Sequence, residues 1–315
     1  SFNALTGDVL GIDLSDLVEE GEDSDLLTFE FLDDDLLLST ETDATFGDLL
    51  LKDLDDEYGR IVYSDRTSGE AFADSGEFFF LPSLEDELAA DVDAGAAGFQ
   101  GTLSLVFEAT VSGTTTQFAT AIDIGAGYST EGDLAVTSGA TTLDVLRQQQ
   151  RLAYFGYPDD DGDALEVEGA NDPDFAAAVA LFNSVIDGSG TATPDTADDS
   201  VNATTLQWLN SDNAPQWTQL VDPDPQAGTF DPNSVNGDFD ILPGAGDTEQ
   251  PLSYGASWLV EAIEEAAAAE PGVIIAGLST LNGRDSTNHR DADDPGRRHQ
   301  AGMEVDVYLP AGART

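Results

Sequence analysis

Short apolar runs punctuated by Gly, Asp and Ser dominate the first 138 positions. Leu27-Thr28-Phe29-Glu30-Phe31-Leu32, Ile61-Val62-Tyr63, Phe78-Phe79-Phe80-Leu81 and the run from Thr102 to Val111 read as strands. Several short strands with turns between them predict an antiparallel β-sandwich over residues 1–138. A Gly, Ser and Thr-rich hinge, Ser129 to Thr142, leads into a segment with helical spacing. Leu152 and Phe155 lie three apart on one face before Gly156-Tyr157-Pro158 stops the helix. Pro173 opens a second helix carrying Phe175, Ala178, Val179 and Phe182, and Thr204 to Leu209 forms a third. Residues 139–212 are therefore predicted to be a small three-helix domain. Residues 213–250, rich in Pro, Asp, Gly and Asn, read as a linker, ordered where Trp217 and Phe239 pack onto a neighbour.

The last stretch, residues 251–315, is predicted to be an α+β domain. Ser257 to Glu270 places Trp258, Leu259, Ala262 and Ile263 on one helical face and Glu261, Glu264 and Glu265 on the other. Pro271-Gly272 ends that helix, and Gly272 to Leu278 continues as a strand. After a long polar loop, Met303 to Leu309 alternates as a second strand. There Asp306 shares a face with Glu304 and Tyr308, while Val305, Val307 and Leu309 point into a core.

Composition narrows the setting. A chain of 315 residues with 40 % hydrophobic content and 16 Phe is long and apolar enough for two or three packed domains. Acids outnumber bases 63 to 10, for a net charge of -53, so self-repulsion must be offset by salt or bound cations. High salt (a halophilic setting) and a calcium-rich exterior both fit. Nucleic acid is excluded as a partner, as are anionic membranes. No apolar run approaches the roughly 20 residues that membrane insertion requires. The absence of cysteine removes thiol chemistry and cysteine zinc sites. Because the chain opens on Ser1-Phe2-Asn3 without methionine, both ends are expected to be cuts from a larger secreted, extracellular or cell-surface protein.

Candidate chemistry concentrates between Arg284 and Pro310. This stretch holds both histidines, His289 and His299, and four of the ten basic residues, Arg284, Arg290, Arg297 and Arg298. An imidazole at His299 and a carboxylate at Asp306 are donor types that a catalytic zinc ion takes, with one position left open for water. The plainer reading makes His299 a turn histidine and Asp306 one acid among many. Elsewhere, Asp159, Asp161 and Asp163 alternate around Gly162 as in a calcium loop, although Glu168 does not fall where an EF-hand places its distal acid.

The run Arg298-His299-Gln300-Ala301-Gly302-Met303-Glu304-Val305-Asp306 resembles the H-x-x-G-x-x-x-D signature of the LAS zinc peptidases, the D-alanyl-D-alanine peptidases and murein endopeptidases. The resemblance implies zinc ligation by His299 and Asp306 and assigns Arg284, just after the strand, to the substrate or oxyanion. The family's third ligand and acidic base follow the signature, and no histidine follows here. Either they lie beyond Thr315 or the site is incomplete; His289, upstream, is a weaker substitute. Asp8 to Val18 with Leu26 to Phe29, and Gly98 to Gly113, resemble the opening and close of cadherin-like repeats of large bacterial surface proteins. In such repeats terminal acids bind calcium, here Asp13, Asp16 and Glu19 to Asp25. Arg147 to Tyr157 and Gly169 to Asn183 resemble a peptidoglycan-binding domain, with Gln148, Asp172 and Phe175 departing from its usual residues.

Two functions follow as expectations. The first is a secreted cell-surface protein whose zinc-dependent peptidase-like domain acts on cell-wall peptides, with cell-wall peptide or glycan as partner. The second is a non-enzymatic, calcium-stabilised structural or adhesive module, self-associating in a filament or sheath, with a degenerate peptidase fold.

Overall fold

The computed structural model describes residues 2–13, 27–31, 48–49, 59–63, 77–84, 100–111, 114–187, 197–222, 239–241, 253–269, 272–279, 281, 283 and 302–308. They form a mixed α+β protein with several small sheets and four helices. Two compact units emerge. The first comprises Ser1–Tyr154 with Val167–Ala170, and the second Phe155–Glu166 with Asn171–Thr315.

In the first unit, β1 (Phe2–Leu5), β8 (Thr114–Gly125), β7 (Gly101–Val111) and β3 (Leu27–Phe31) make one sheet in that order, with β4 (Asp48–Leu49) also on β7. β7 and β8 are antiparallel, whereas β1 runs parallel to β8 and β4 parallel to β7. The long strand β8 was not anticipated by the sequence pattern. A second, antiparallel sheet orders β2 (Leu10–Asp13), β6 (Glu77–Pro82) and β5 (Gly59–Tyr63). Cross-strand pairing places Leu10 opposite Phe80 and Ile12 opposite Phe78, so these four buried side chains share one face. The other face carries Val62, Phe79 and Leu81, and helix α1 (Thr142–Tyr154) covers it with Leu143, Leu146 and Ala153.

α1 was expected to open a separate helical domain, yet it belongs to the first unit with the strands. Its burial is unusual for its sequence. Gln148, Gln149, Gln150 and Arg151 are all buried, and four successive helical residues sweep most of the helix circumference. Each glutamine meets backbone from a different segment. Gln148 donates to the carbonyls of Thr137 and Gly139, and Gln149 donates to Ala170 and accepts from the Gly169 amide. Gln150 donates to the Thr6 and Pro82 carbonyls at 2.8 and 2.9 Å. Arg151 forms a fully buried ion pair with Asp8 at 3.1 Å and donates to the carbonyls of Gly7 and Ser129. Its guanidinium lies 4.4 Å from the centre of the Tyr128 ring. Asp8 also accepts from the amide and hydroxyl of Ser129. Gly7 is dictated by this crowding, since a Cβ there would stand 2.9 Å from Tyr128 and 3.0 Å from Tyr154. The expected hinge at 129–142 is accordingly a stretch tied to α1 at Ser129, Thr137 and Gly139.

The start of α1 is closed reciprocally. The Thr141 hydroxyl accepts from the Asp144 amide at 3.2 Å, while the Asp144 carboxylate accepts from the Thr141 amide at 3.1 Å and from the hydroxyls of Thr137 and Thr141. Desolvation pushes the Asp144 carboxyl up, but these hydrogen bonds and the Arg147 charge together hold it below its ordinary value of 3.8.

The second unit begins with an aromatic core. α2 (Pro173–Ile186) has Asp172 as its N-cap and Pro173 in its first turn, and Phe175, Ala178, Val179 and Phe182 are all buried as the spacing predicted. Phe182 packs against Phe155 and Tyr157, and Tyr157 against Trp217. α3 (Ala203–Leu209) is joined to α2 through the Thr205 hydroxyl, which donates to Asn183 at 2.7 Å. The expected linker at 213–250 contributes β9 (Trp217–Gln219), antiparallel to β11 (Tyr254–Ala256), and β10 (Phe239–Ile241), parallel to β12 (Val273–Gly277). β13 (Asp306–Tyr308) closes that sheet antiparallel to β12.

α4 (Ser257–Ala269) buries Val260, Ile263 and Ala267 against Leu220, Ile275 and Leu278, with Val305 packed at the margin. The expected stripe was partly shifted: Ala262 is exposed and Trp258 half-buried, because the face that meets the sheet runs through Val260 and Ala267. No described helix is long and apolar enough to cross a membrane.

Two outcomes are expected from the first unit. Removing one partner of the buried pair by Asp8→Asn or Arg151→Met should cost about 3–5 kcal/mol, because the survivor is left buried with its complement gone. Chemical denaturation of the full chain, following the transition of the first unit, reads this loss. The Asp144 carboxyl titrates lower folded than unfolded, so its stabilisation is complete above the unfolded value and is lost as pH falls through the folded one. The stability gap between the parent and Asp144→Asn should therefore shrink between about pH 5 and pH 3. A gap constant over that interval would refute the assignment.

Candidate metal centre

Of the predicted zinc-site residues, Asp306 lies among the described residues. His299 and Arg284 lie outside them, as does His289. Asp306 begins β13, pairs with Gly277 at the end of β12 across a register shift, and is exposed. The alternation expected here holds in direction. Val305 packs against the α4 core and Val307 shares its face, paired with the buried Ile275. Val307 nevertheless remains 47 % exposed, since β13 is the edge strand of this sheet among the described residues.

What the structure adds is the anchoring of the residues that flank the basic stretch in sequence. Trp217, 3 % exposed, donates its indole N–H to the Leu281 carbonyl at 2.6 Å. The same indole rests against Gly302, where an added Cβ would stand 2.5 Å from Trp217 and 2.6 Å from Gly255. Gly302 also has φ +58, which a side chain would strain. Its carbonyl accepts from the Ala256 amide at 3.0 Å, while Ser279 and Tyr254 exchange amide-to-carbonyl bonds at 2.8 and 3.0 Å. Both ends of the stretch from Ser279 to Gly302 are thus held on β11 and on one tryptophan. The glycine of the signature is fixed by packing. The Tyr254 hydroxyl, half-buried at this junction, is pushed above its ordinary range by desolvation.

The donor types fit zinc as far as they go: an exposed carboxylate at Asp306 and an imidazole in sequence at His299. Among the described residues no group of three or more His, Asp or Glu side chains gathers around a common point. That includes Asp159, Asp161 and Asp163. The Asp159 Oδ1 instead accepts from the amides of Asp161, Gly162 and Asp163 at 2.9, 2.8 and 2.8 Å, closing the loop on itself beneath the Pro158–Ala164 bridge. Nearby Asp174 is held above the ordinary carboxylate range, by desolvation first and then by the charges of Asp159, Asp172 and Asp161. Of the acids proposed for terminal calcium binding, Asp13 ends β2, and Asp16 and Glu19 to Asp25 lie outside the described residues.

The sequence marked Trp217 as a residue that packs onto a neighbour but not as the one that meets Leu281 and Gly302. A large aromatic in a Pro- and Asp-rich stretch signalled packing, while its partners, distant in sequence, left no local signal. Gly302→Ala should destabilise the second unit by about 2 kcal/mol or more through backbone strain and the clash with Trp217. Thermal unfolding would show it, and an unchanged midpoint would contradict the packing described.

No known protein family, curated protein or solved structure matches this chain.

Proposed function

We infer that this is a secreted cell-surface protein whose second unit carries a zinc-peptidase-like site acting on cell-wall peptides. His299 and Asp306 hold the metal, and Arg284 meets the anionic end of the substrate or its oxyanion. The observation that supports this most directly is the pinning of both loop ends by Trp217. Arg284 follows Leu281 by three residues and His299 precedes Gly302 by three. The two anchors that flank these residues in sequence, Leu281 and Gly302, both meet the Trp217 indole. Bound zinc would lower the pKa of its water and polarise the scissile carbonyl. A guanidinium beside it stabilises the negative charge that develops. In the same reading the two sheets of the first unit form a cadherin-like sandwich, and the peptidoglycan-binding resemblance rests on Arg147 to Tyr157 and Gly169 to Asn183.

The non-enzymatic alternative, a calcium-stabilised surface or filament module, draws on a different fact. The sequence contains only two histidines, and the second unit offers no three-donor cluster among its described residues.

Metal analysis of the full chain, purified without chelator, separates the two. The enzyme reading expects one zinc per chain and an affinity loss of at least about hundredfold in both His299→Ala and Asp306→Asn, beyond the cost of losing an outer partner. Zinc uptake that neither substitution weakens, or stability that responds to calcium while zinc stays absent, would sink it.

A further inference from the structure

We propose that Trp208 and Trp258 form a stacking platform for a neutral polysaccharide, with Gln216 as a hydrogen-bonding flank. The two indoles meet edge to face with ring centres 5.3 Å apart, and both are half-buried, in contrast to the enclosed Trp217. Trp208 stands in the last turn of α3 and Trp258 in the first turn of α4. The loop between Leu209 and Trp217 returns to this point, because the Gln216 amide donates to the Ser257 hydroxyl at 3.1 Å and the Gln216 carbonyl accepts from the Ser257 amide at 2.8 Å.

Three polar groups at this place have no hydrogen-bond partner among the described residues: the indole N–H of Trp208, that of Trp258, and the half-buried carboxamide of Gln216. An indole N–H is a donor available to a ligand oxygen, and a carboxamide brings two donors and an acceptor. Aromatic surface with polar groups that lack partners beside it is what a ligand site offers. Sugar rings match it, with an apolar C–H face to lie on an indole and hydroxyl groups around the rim to meet N–H and amide.

Charge selects among sugars. At a net charge of -53 the chain repels anionic polymers such as uronic-acid or phosphate-bearing glycans. A neutral chain of glucose or N-acetylglucosamine units carries no such penalty. The proposal does not rest on the metal reading, since none of its residues belongs to the stretch from Ser279 to Gly302.

The test titrates the full chain with cellohexaose and, separately, chitohexaose, following indole emission. Salt at about 1 M screens charge beyond about 3 Å and removes adventitious ionic adsorption. The expected result is a saturable emission change with at least one of the two sugars, unaffected by salt. Trp258→Ala should weaken it about tenfold or more, and Gln216→Ala should weaken it while leaving the near-UV spectrum intact. Because the Gln216 side chain supports nothing else among the described residues, that variant decides the matter should Trp258→Ala fail to fold. His299→Ala should bind sugar like the parent, keeping this result separate from that of the metal site. Absence of saturable change with both sugars, loss of binding in salt, or parental titration by either Gln216→Ala or a folded Trp258→Ala overturns the proposal.

Discussion

The first unit depends on a guanidinium enclosed with a single carboxylate. Arg151 and Asp8 have no exposed side-chain surface, and the arginine is satisfied by Asp8, by the carbonyls of Gly7 and Ser129, and by the face of Tyr128. Burial pushes the Arg151 pKa down to about 10, with the Asp8 charge opposing, so the group stays protonated at neutral pH. An ion so enclosed fixes geometry: any arrangement that separates Arg151 from Asp8 exposes a desolvated charge to an apolar surround. The turn between β1 and β2, the segment after β8, and α1 are therefore tied together at this one guanidinium.

The three glutamines before Arg151 extend the same logic with neutral groups. Each spends its carboxamide on backbone of other segments: Thr137 and Gly139, Gly169 and Ala170, Thr6 and Pro82. A buried carbonyl without a donor costs about 1–3 kcal/mol, so a helix that supplies several donors stabilises the loops around it as much as itself. Apolar contacts from Leu143 and Leu146 bring the helix onto its sheet, and the polar row sets its rotation and register.

In the second unit an aromatic side chain holds the equivalent place. Trp217 joins the ring cluster of Tyr157 and Phe182 on one side, and on the other it supports Leu281 and Gly302. One side chain thus ties two segments that are about twenty positions apart in sequence. The acidic surface then has a clear division of labour. Asp144, Asp159, Asp172 and Asp198 spend their oxygens on nearby amides and hydroxyls, organising turns and helix starts.

Elements with one dominant period were legible in the chain itself. The stripe Phe175, Ala178, Val179 and Phe182 gave α2, the run from Thr102 to Val111 gave most of β7, and Pro271-Gly272 marked the passage from α4 to β12. Local periodicity suffices there because one face meets one core. The zinc-site pattern was legible only as residue types and spacing, and of its residues Asp306 alone acquires a described position. The grouping of α1 with the strands was not legible, because Gln148 to Arg151 look solvent-facing by composition. Their burial follows from carbonyls contributed by segments up to 144 positions away. The same holds for Trp217, Trp208 and Trp258. Sequence determined which residues prefer helix, strand or turn; tertiary structure decided which polar and aromatic groups meet, because hydrogen-bond and stacking partners are set by spatial proximity and not by period.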